Sequence, residues 1–357
     1  MTPAFRLAHS GLQKAPIFPD GATYQRQALP TTPSVLCNPN YPMVYEQNAR
    51  WNHDRLPFPD GDAFLAFQDG RHALWCAVVY PEADEEALRN IADYTALLFY
   101  VDDMGTFGED SHRDFLGDLQ SDSAPKNPVV KALREVESRF QRRIKQGTYG
   151  RFRKAADECH PSVQEENSFR DEERILTFED YLRVRRSTIG IFQYVILIEY
   201  CLDLDLEPLL EQDSQLDELS SQAVEHCLYV NDLGSFRKER YQNDDMNAVA
   251  VLMRSEGMSL QQAVDHITGR LHEVQRKFDS QSRDVLARYH GHELGGDVEN
   301  YVAGLGYLIS GNVWWTYQCA RYNGPGFVWN GHREGLVTLS ENATIVHPPN
   351  SSERQDA

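Results

Sequence analysis

Apolar residues recur every three or four positions through most of this 357-residue chain, and this spacing constrains its fold more than any other feature. The stretch EEALRNIADYTALLFYVDDM shows the spacing clearly. The stretch FEDYLRVRRSTIGIFQYVILIEYCL becomes apolar nearly all round after Gly190, as a central buried helix would. We find neither alternating strand runs with hairpin turns nor a glycine-rich phosphate loop. The sequence therefore predicts an all-α fold, a single domain of about ten helices.

Both ends of the chain depart from this pattern. Residues 1–55 begin with a stretch rich in proline and poor in periodicity, which predicts an N-terminal arm or lid. Residues 340–357 are polar and are typical of a loose C-terminal tail. The helical domain is then expected over residues 56–339. Residues 148–177 are polar as well.

Charge and composition argue against several classes of protein. The net charge of −19 disfavours broad binding to nucleic acid or to an anionic membrane surface. No stretch approaches the roughly 20 apolar residues of a membrane span, and the N-terminus lacks the apolar run of a secretory signal. The six cysteines are scattered without a CxxC pair, which favours reduced core thiols. We therefore expect a cytoplasmic protein with no nucleic-acid partner and no stable membrane association.

The segment NDLGSFRKE spaces three oxygen-bearing side chains at intervals of four, namely Asn231, Ser235 and Glu239. Each step of four rotates by about 40° on an α-helix, so the three share one face. Such a face could form one side of a site for a hard cation, and Lys238 stands beside it. A solvated helix face is the alternative, and the segment alone does not decide between them.

An acidic pair ends a long apolar helix in the segment FYVDDMGTFGED. Asp102 and Asp103 are costly to bury there unless cations or donors neutralise them. Gly105 and Gly108 favour a break in the helix, which would leave the acids at a rim. A solvated helix end is the alternative, but acids at a C-terminus oppose the helix dipole, which makes a purely structural role less attractive.

Three arginines lie within four positions in YLRVRRSTIG, just before an apolar helix. A guanidinium suits a multivalent phosphate because it stays charged and binds bidentately. For Arg183 and Arg186 we expect surface pairing with acids instead. The remaining arginine, Arg185, lies between them in the sequence and 46 positions before Asn231.

Two further donors, Arg321 and Tyr322, end an aromatic-rich helix in GNVWWTYQCARYNGP. Gly324 and Pro325 follow and stop the helix. An arginine and a phenol at a helix end can both donate to an anion.

Taken together, these segments resemble the class I terpene synthases (terpene cyclases) of the microbial type, over roughly residues 60–325. One motif of that family reads Asn-Asp-(Leu/Ile/Val)-x-Ser-x-x-(Lys/Arg)-Glu, and NDLGSFRKE fits every fixed position. The aspartate-rich motif, the diphosphate-sensing arginine, the linker and effector residues, the Asn-x-x-Trp positions and the C-terminal Arg-Tyr pair follow in the family's order. The resemblance implies metal ligands at Asp102, Asp103, Asn231, Ser235 and Glu239; diphosphate donors at Arg185, Lys238, Arg321 and Tyr322; and effector or cavity residues at Thr188, Ile189, Phe99, Asn312 and Trp315. For Phe99 and Trp315, ordinary core packing is the alternative.

One departure concerns the aspartate-rich motif. The family usually has a further acid at its fifth or sixth position, where this chain has Thr106 and Phe107. Glu109 and Asp110 come seven positions after the acidic pair and would return to its face only if the helix continued. The carry-over of metal ligation is therefore firmer for Asp102 than for Asp103, and whether Glu109 or Asp110 replaces the missing acid stays open.

The resemblance also implies a fold and a reaction. The fold would be a class I terpenoid synthase bundle around a central cavity. The reaction would be Mg2+-dependent ionisation of a linear prenyl diphosphate, with three Mg2+ ions and farnesyl diphosphate as the expected substrate, cyclisation to a sesquiterpene and release of diphosphate. Geranylgeranyl diphosphate as the substrate of a diterpene synthase is one alternative, and a non-catalytic protein that binds prenyl diphosphates is another. Homodimers are usual in the family, but the sequence leaves the oligomeric state open.

Two enzyme rivals fit the motifs less well. A chain-elongating prenyltransferase would carry a second aspartate-rich motif where Asn231 to Glu239 stands. A cyclase initiated by protonation needs an Asp-x-Asp-Asp motif, which this chain lacks.

Overall fold

The predicted helical periodicity is realised in a computed structural model of the protein, which describes residues 21–31, 33–103, 118, 123–171, 175–242 and 244–347. These residues form fourteen helices and three short strands, so the predicted all-α fold is confirmed. The helices are α1 (Tyr41–Arg55), α2 (Gly61–Asp69), α3 (His72–Val79), α4 (Glu85–Asp103), α5 (Pro128–Gln141), α6 (Gln146–Asp171), α7 (Phe178–Thr188), α8 (Ile191–Leu202), α9 (Glu207–Gln212), α10 (Ser214–Tyr241), α11 (Ala248–Ser255), α12 (Leu260–Tyr289), α13 (Gly295–Gln318) and α14 (Ala320–Asn323).

Helix α10 packs against several other helices of the bundle. It contacts α7, α8, α11, α12, α13 and α14. Asp213 caps its N-terminus, because the carboxylate accepts from the backbone N–H groups of Gln215 at 3.0 Å and Leu216 at 3.4 Å. The segment NDLGSFRKE forms the last turns of this helix. The direction of this segment is therefore fixed by the contacts that hold α10 in the bundle.

Buried side chains form two apolar cores. One core includes Trp75 of α3, Tyr94 of α4 and Leu197 of α8. The other lies among α7, α11, α12 and the strands. Ile189, at the junction of α7 and α8, packs against both cores. Movement at this junction would therefore reach both halves of the bundle.

A three-stranded antiparallel sheet joins the two ends of the described chain. Strand β1 (Thr23–Arg26) pairs with β2 (Gly335–Ser340), and β2 pairs with β3 (Ala343–His347). Val337 and Val346 are buried, whereas Leu336 and Ile345 are exposed. The prediction that the chain lacks alternating strand runs is therefore wrong. These strands are short, and β1 lies more than 300 positions from its partner β2 in the sequence.

Two segments assigned to the arm and the tail have regular structure. Helix α1 packs on α3 and α4, and β3 contacts α14. The sequence interpretation of residues 41–55 and 343–347 is thus corrected to a helix and a strand. The helical pattern of α1 is weak because two of its four buried residues are polar, Asn48 and Asn52. Asn48 donates to the buried carboxylate of Asp93 at 2.8 Å, which explains why an amide occupies the apolar face.

Helix α6 occupies most of the polar stretch 148–177. Its buried residues, such as Phe152 and Val163, are spaced among charged ones. None of the helices in the described ranges is both long enough and apolar enough to cross a membrane.

The buried imidazole of His226 on α10 predicts a loss of stability in acid. Burial lowers the pKa of His226 from 6.5 to about 4, so between these values the unfolded chain binds a proton that the folded protein does not. The contribution of His226 to stability therefore falls as the pH falls below about 6.5, by about 2 kcal/mol at pH 5. In urea titrations at pH 7 and pH 5, we expect His226→Gln to lose about 2 kcal/mol less than the wild type over this interval. The exposed His290 offers the control His290→Gln, which should keep the wild-type loss; an unchanged loss in His226→Gln would contradict the assignment.

Candidate active site

Four helices bring the predicted site residues to one region of the bundle. Asp102 and Asp103 end α4, Arg185 lies in the last turn of α7, and Lys238 lies near the end of α10. Arg321 and Tyr322 form the middle of the four-residue helix α14. Residues from distant parts of the sequence thus meet, as the resemblance implies.

The acidic pair on α4 is held by two cations. Arg321 donates to a carboxylate oxygen of Asp102 and, through its other terminal nitrogen, to Asp103. Lys238 Nζ lies 3.0 Å from Asp103 Oδ1 and 4.0 Å from Asp102 Oδ2. These cations neutralise the carboxylates that the helix dipole of α4 disfavours.

The electrostatics of the group reflect this pairing. Burial raises the pKa of Asp103, but the charges of Arg321 and Lys238 outweigh burial and hold the pKa well below its usual value. Burial lowers the pKa of Arg321, but the charges of the two carboxylates outweigh burial and hold this pKa above its usual value. Both groups are therefore ionised at neutral pH.

A second network links Arg185 to Tyr322 through Asn231. Arg185 Nη2 donates to Asn231 Oδ1 at 2.7 Å, and Asn231 Nδ2 donates to the Tyr322 hydroxyl at 2.7 Å. Burial raises the pKa of Tyr322, which keeps the phenol protonated and able to donate. Three of the predicted residues therefore form one chain of hydrogen bonds across α7, α10 and α14.

The sequence analysis missed Asp232 as a site residue, although it is a fixed position of the motif. Its side chain is completely buried. One carboxylate oxygen accepts from Arg185 Nε and Nη2, both at 3.2 Å. The other accepts from the Tyr181 hydroxyl and from the backbone N–H of Ala248 at 3.0 Å. Asp232 thus fixes Arg185 on α7 and the start of α11 relative to α10.

The predicted ligands on α10 have the chemistry that a hard cation requires. Ser235 is 2% exposed, and its hydroxyl is buried with no hydrogen-bond partner among the described residues. Glu239 Oε2 accepts from Asn247 at 2.8 Å, a second contact that the sequence analysis missed. Amide, hydroxyl and carboxylate oxygens on one helix face suit Mg2+. Within the described ranges no three His, Cys, Asp or Glu side chains form a metal cluster, so any ion here needs the amide and the hydroxyl.

Aromatic side chains pack beside the Arg321 guanidinium that binds the acidic pair. The guanidinium of Arg321 lies 4.8 Å from the centre of the Phe99 ring, within cation–π distance. Phe99 stacks on His72 at 4.3 Å and is 5.8 Å from Trp315. Trp315 is 2% exposed and donates to the carbonyl of Gly70 at 3.1 Å. Phe99 therefore contacts the charged group directly, whereas Trp315 supports it from within the core.

Asn312 lies about one turn before Trp315 in the same helix. It is buried, and its Oδ1 accepts from Trp75 Nε1 at 3.0 Å. This bond fixes a second aromatic ring, which makes an edge contact with Tyr194 at 4.7 Å.

The predicted effector residues lie at a break between two helices. Thr188 is the last residue of α7, and Ile189 is its C-terminal cap. Gly190 has a φ of +73°, a left-handed conformation that favours glycine, and α8 begins directly after it. The break lies one turn from Arg185, because Ile189 N donates to Arg185 O at 3.0 Å. The backbone of Arg185 is thus bonded directly to this junction.

Two further expectations concern residues around the site. Arg183 pairs with Glu165 at 2.6 Å and Arg186 with Glu225 at 3.1 Å, so their assignment to surface ion pairs is confirmed. The irregular end of the aspartate-rich motif, with Thr106, Phe107, Glu109 and Asp110, lies outside the described residues.

The arrangement therefore joins two kinds of binding group. Lys238, Arg321, Arg185 and the Tyr322 phenol have the chemistry to donate to an anion, and the oxygen atoms of α4 and α10 have the chemistry to bind cations. A multivalent anion with bound hard cations would satisfy both sets together.

Comparisons with known proteins agree with this chemistry. The model of the family described as terpene synthase family 2, C-terminal metal binding, matches residues 93–277, just over half of the chain. Sesquiterpene synthase 6 of Postia placenta is 26% identical over 300 residues, which cover 81% of this chain and 87% of that protein. A protein of Coprinopsis cinerea named linoleate 10R-lipoxygenase COP4 is 27% identical over 294 residues, 80% of this chain and 84% of its own length. The activities that these names state belong to those proteins.

A solved structure shows the same fold. The crystal structure of linalool/nerolidol synthase from Streptomyces clavuligerus matches with a TM-score of 0.69 and 21% identity. The match covers 80% of this chain and 99% of that one. The predicted resemblance to class I terpene synthases is confirmed by the family match and by this fold.

The buried carboxylate of Asp232 predicts a large effect of a small substitution. Asp232→Asn leaves the guanidinium of Arg185, itself 2% exposed, without its carboxylate, and we expect a loss of about 3 kcal/mol in the free energy of unfolding. Glu165→Gln is the matched control, because it breaks an arginine–carboxylate pair whose side chains are 57% and 37% exposed and should cost less than about 1 kcal/mol. Urea titrations at pH 7 measure both values. Equal losses in the two variants would contradict the role given to Asp232.

Proposed function

The chain belongs to terpene synthase family 2, and from this premise we propose that it ionises a linear prenyl diphosphate, farnesyl diphosphate in the first place, and cyclises the cation to a sesquiterpene. Its enzyme class is that of the class I terpene synthases, lyases that break a carbon–oxygen bond. The name of the similar sesquiterpene synthase from Postia placenta supports the choice of a sesquiterpene.

The observation that carries the proposal is the meeting of Asp102 and Asp103 with Lys238 and Arg321. These four charged groups come from three helices and lie within ion-pair distance. Each cation now satisfies a carboxylate, but a diphosphate offers stronger and more numerous acceptor oxygens. A bound diphosphate would draw Lys238 and Arg321 towards itself and leave the carboxylate oxygens for cations.

The residues present fit Mg2+ on both sides of this group. Asp102 and Asp103 would hold ions on the side of α4, and Asn231, Ser235 and Glu239 would hold one on the side of α10; a total of three ions follows from the family resemblance. When bound, Mg2+ neutralises the charge of the diphosphate and makes it a better leaving group. The buried, unpartnered hydroxyl of Ser235 supports the ligand assignment.

The chain's own donors complete the binding of the diphosphate. Arg185, Lys238, Arg321 and Tyr322 would bind its oxygens as the allylic carbon–oxygen bond breaks and the electron pair leaves with the diphosphate. Asn231 already bonds to both Arg185 and Tyr322, and Arg185 also donates to the carboxylate of Asp232. These donors are thus positioned before the substrate arrives, which lowers the cost of ordering them.

The positive charge left on the hydrocarbon requires an apolar, electron-rich surface. Phe99 already binds the guanidinium of Arg321 on its ring face, and the same face would stabilise a carbocation by about 0.5–2 kcal/mol. Trp315 and Asn312 would support this wall from α13, and Thr188 and Ile189 would transmit diphosphate binding at the α7–α8 break. Exclusion of water then lets the cation cyclise before it is quenched.

Product analysis tests the proposal directly. Purified protein is incubated with C10, C15 and C20 prenyl diphosphates, with and without Mg2+, and the organic extract is analysed by gas chromatography with mass detection. We expect a cyclic C15 product that depends on Mg2+. A cyclic C20 product would identify a diterpene synthase instead, and folded protein that binds a prenyl diphosphate without converting it would overturn the catalytic assignment.

Substitution of the ligands on α10 gives a second prediction. Asn231→Ala and Glu239→Ala each remove an oxygen ligand, and we expect turnover to fall by at least about 100-fold with the fold retained. Glu218→Ala is the control, since Glu218 is exposed on the same helix near its start and should leave turnover unchanged. Turnover and circular dichroism are measured for all three variants. Near-wild-type turnover in either ligand variant would rule out the metal assignment on α10.

A further inference from the structure

Arg237 of α10 lies between the predicted ligands but faces away from them. It follows Ser235 by two positions, which places it about 200° around the helix. The side chain is 6% exposed. Its Nε donates to the backbone carbonyl of Tyr322 at 2.9 Å, and its Nη1 donates to the backbone carbonyl of Glu341. One guanidinium therefore connects α10 to two other segments of the chain.

The charge of Arg237 makes this arrangement unusual. No ion pair between Arg237 and a carboxylate is found among the described residues, and burial lowers its pKa. A buried cation without a carboxylate is unfavourable unless its hydrogen bonds compensate for lost hydration. Here the bonds go to two carbonyls in different segments, a geometry that the rigid fork of arginine can span and a shorter neutral side chain cannot.

The turn of the β2–β3 hairpin packs directly on the end of α14. Gly324 has a φ of +108°, and a Cβ atom there would lie 2.1 Å from the carbonyl oxygen of Asn342. Glu341 and Asn342 form this turn between β2 and β3. The close approach needs a glycine on both grounds, conformation and space. The hairpin and Arg237 thus hold α14 from two directions.

This support matters because α14 has only four residues and little stability of its own. Tyr322 is attached to α10 at both ends, through its carbonyl to Arg237 and through its hydroxyl to Asn231. Arg321 is its neighbour, and its guanidinium reaches Asp102 and Asp103. The direction of both donors therefore depends on the position of a short backbone segment that Arg237 fixes.

The hairpin in turn is anchored to the rest of the bundle. Strand β1 pairs with β2 and bonds to α12, where Gln25 N donates to Gln261 Oε1 at 2.7 Å. Val337 and Leu339 of β2 are buried in the second apolar core. The sheet thus gives the turn at Glu341 a fixed position.

We propose that Arg237 is a positioning residue for diphosphate binding: with the hairpin turn at Glu341 and Asn342, it holds α14 so that Arg321 and Tyr322 face the diphosphate. The inference rests on the proposed function. It adds a role for the sheet, which contributes backbone atoms to this support and no side chain to the site.

The test compares two arginines that make the same kind of bond. Arg237→Met removes the guanidinium and keeps the apolar stem; its matched control, Arg26→Met, removes a guanidinium that donates to the carbonyls of His332 at 2.9 Å and Arg333 at 3.1 Å in the segment before β2. We expect Arg237→Met to raise KM for the prenyl diphosphate and Kd for inorganic diphosphate with Mg2+ by about tenfold or more, because misplaced donors bind the anion less well. Arg26→Met should change both values less than about twofold. Kinetics and isothermal titration calorimetry measure them.

Two further variants separate positioning from folding. Arg237→Lys keeps the charge and can reach one of the two carbonyls, so it should recover part of the lost affinity. Gly324→Ala forces the hairpin turn, and with it the Glu341 carbonyl that Arg237 binds, away from α14, and it should weaken diphosphate binding in the same way even if Arg237→Met does not fold.

The outcomes are distinct from those of the proposed function. Wild-type diphosphate affinity in both Arg237→Met and Gly324→Ala would overturn the positioning role, and so would an equal loss in Arg26→Met, which would indicate general loosening of the sheet. Because diphosphate binding is measured without turnover, the role of Arg237 is tested even if no prenyl diphosphate is converted by the wild type.

Discussion

The buried carboxylate of Asp232 is the interaction on which the rest of the site depends. It joins Arg185 and Tyr181 of α7 to α10 and receives the first backbone N–H of α11. Without it a guanidinium that is almost completely buried would lose the carboxylate to which its Nε and Nη2 donate. Asn231, the preceding residue, bonds to both Arg185 and Tyr322. A single carboxylate thus sets the geometry of donors that come from three helices.

A second constraint is the balance of charge at the ends of helices. Asp102 and Asp103 stand at the C-terminus of α4, where the helix dipole disfavours anions. Arg321 and Lys238 compensate for this, so the pair is stable without a ligand. The same pairing makes the site responsive, because any species that competes for the cations also releases the carboxylates. Under the proposed function, the ion pairs that stabilise the resting protein are therefore the ones that a bound diphosphate with Mg2+ would rearrange.

The site could be predicted from sequence where chemistry and spacing coincide. The interval of four in NDLGSFRKE places Asn231, Ser235 and Glu239 on one helix face whatever the tertiary structure. The meeting of Asp103 with Lys238 could not be derived from spacing, and it was reached through the resemblance to a family. Asp232 was missed because it does not share the interval of four that singles out the ligands, so it reads as an ordinary polar residue. Helix α1 was missed because buried amides such as Asn48 interrupt its apolar face.

The contribution of the sheet lay beyond sequence reasoning for a more general reason. Arg237 binds the carbonyls of residues 85 and 104 positions away, and a backbone carbonyl is present at every position of the chain. No residue type at the partner position therefore signals the contact, in contrast to an ion pair, whose two members are both visible as charges. The visible trace is indirect: a buried arginine with no carboxylate partner in the described part of the chain, and Gly324, which lies against the carbonyl of Asn342. A buried cation that lacks a counter-charge should therefore be examined first for the backbone that it holds in place, since that backbone can carry the donors of an active site.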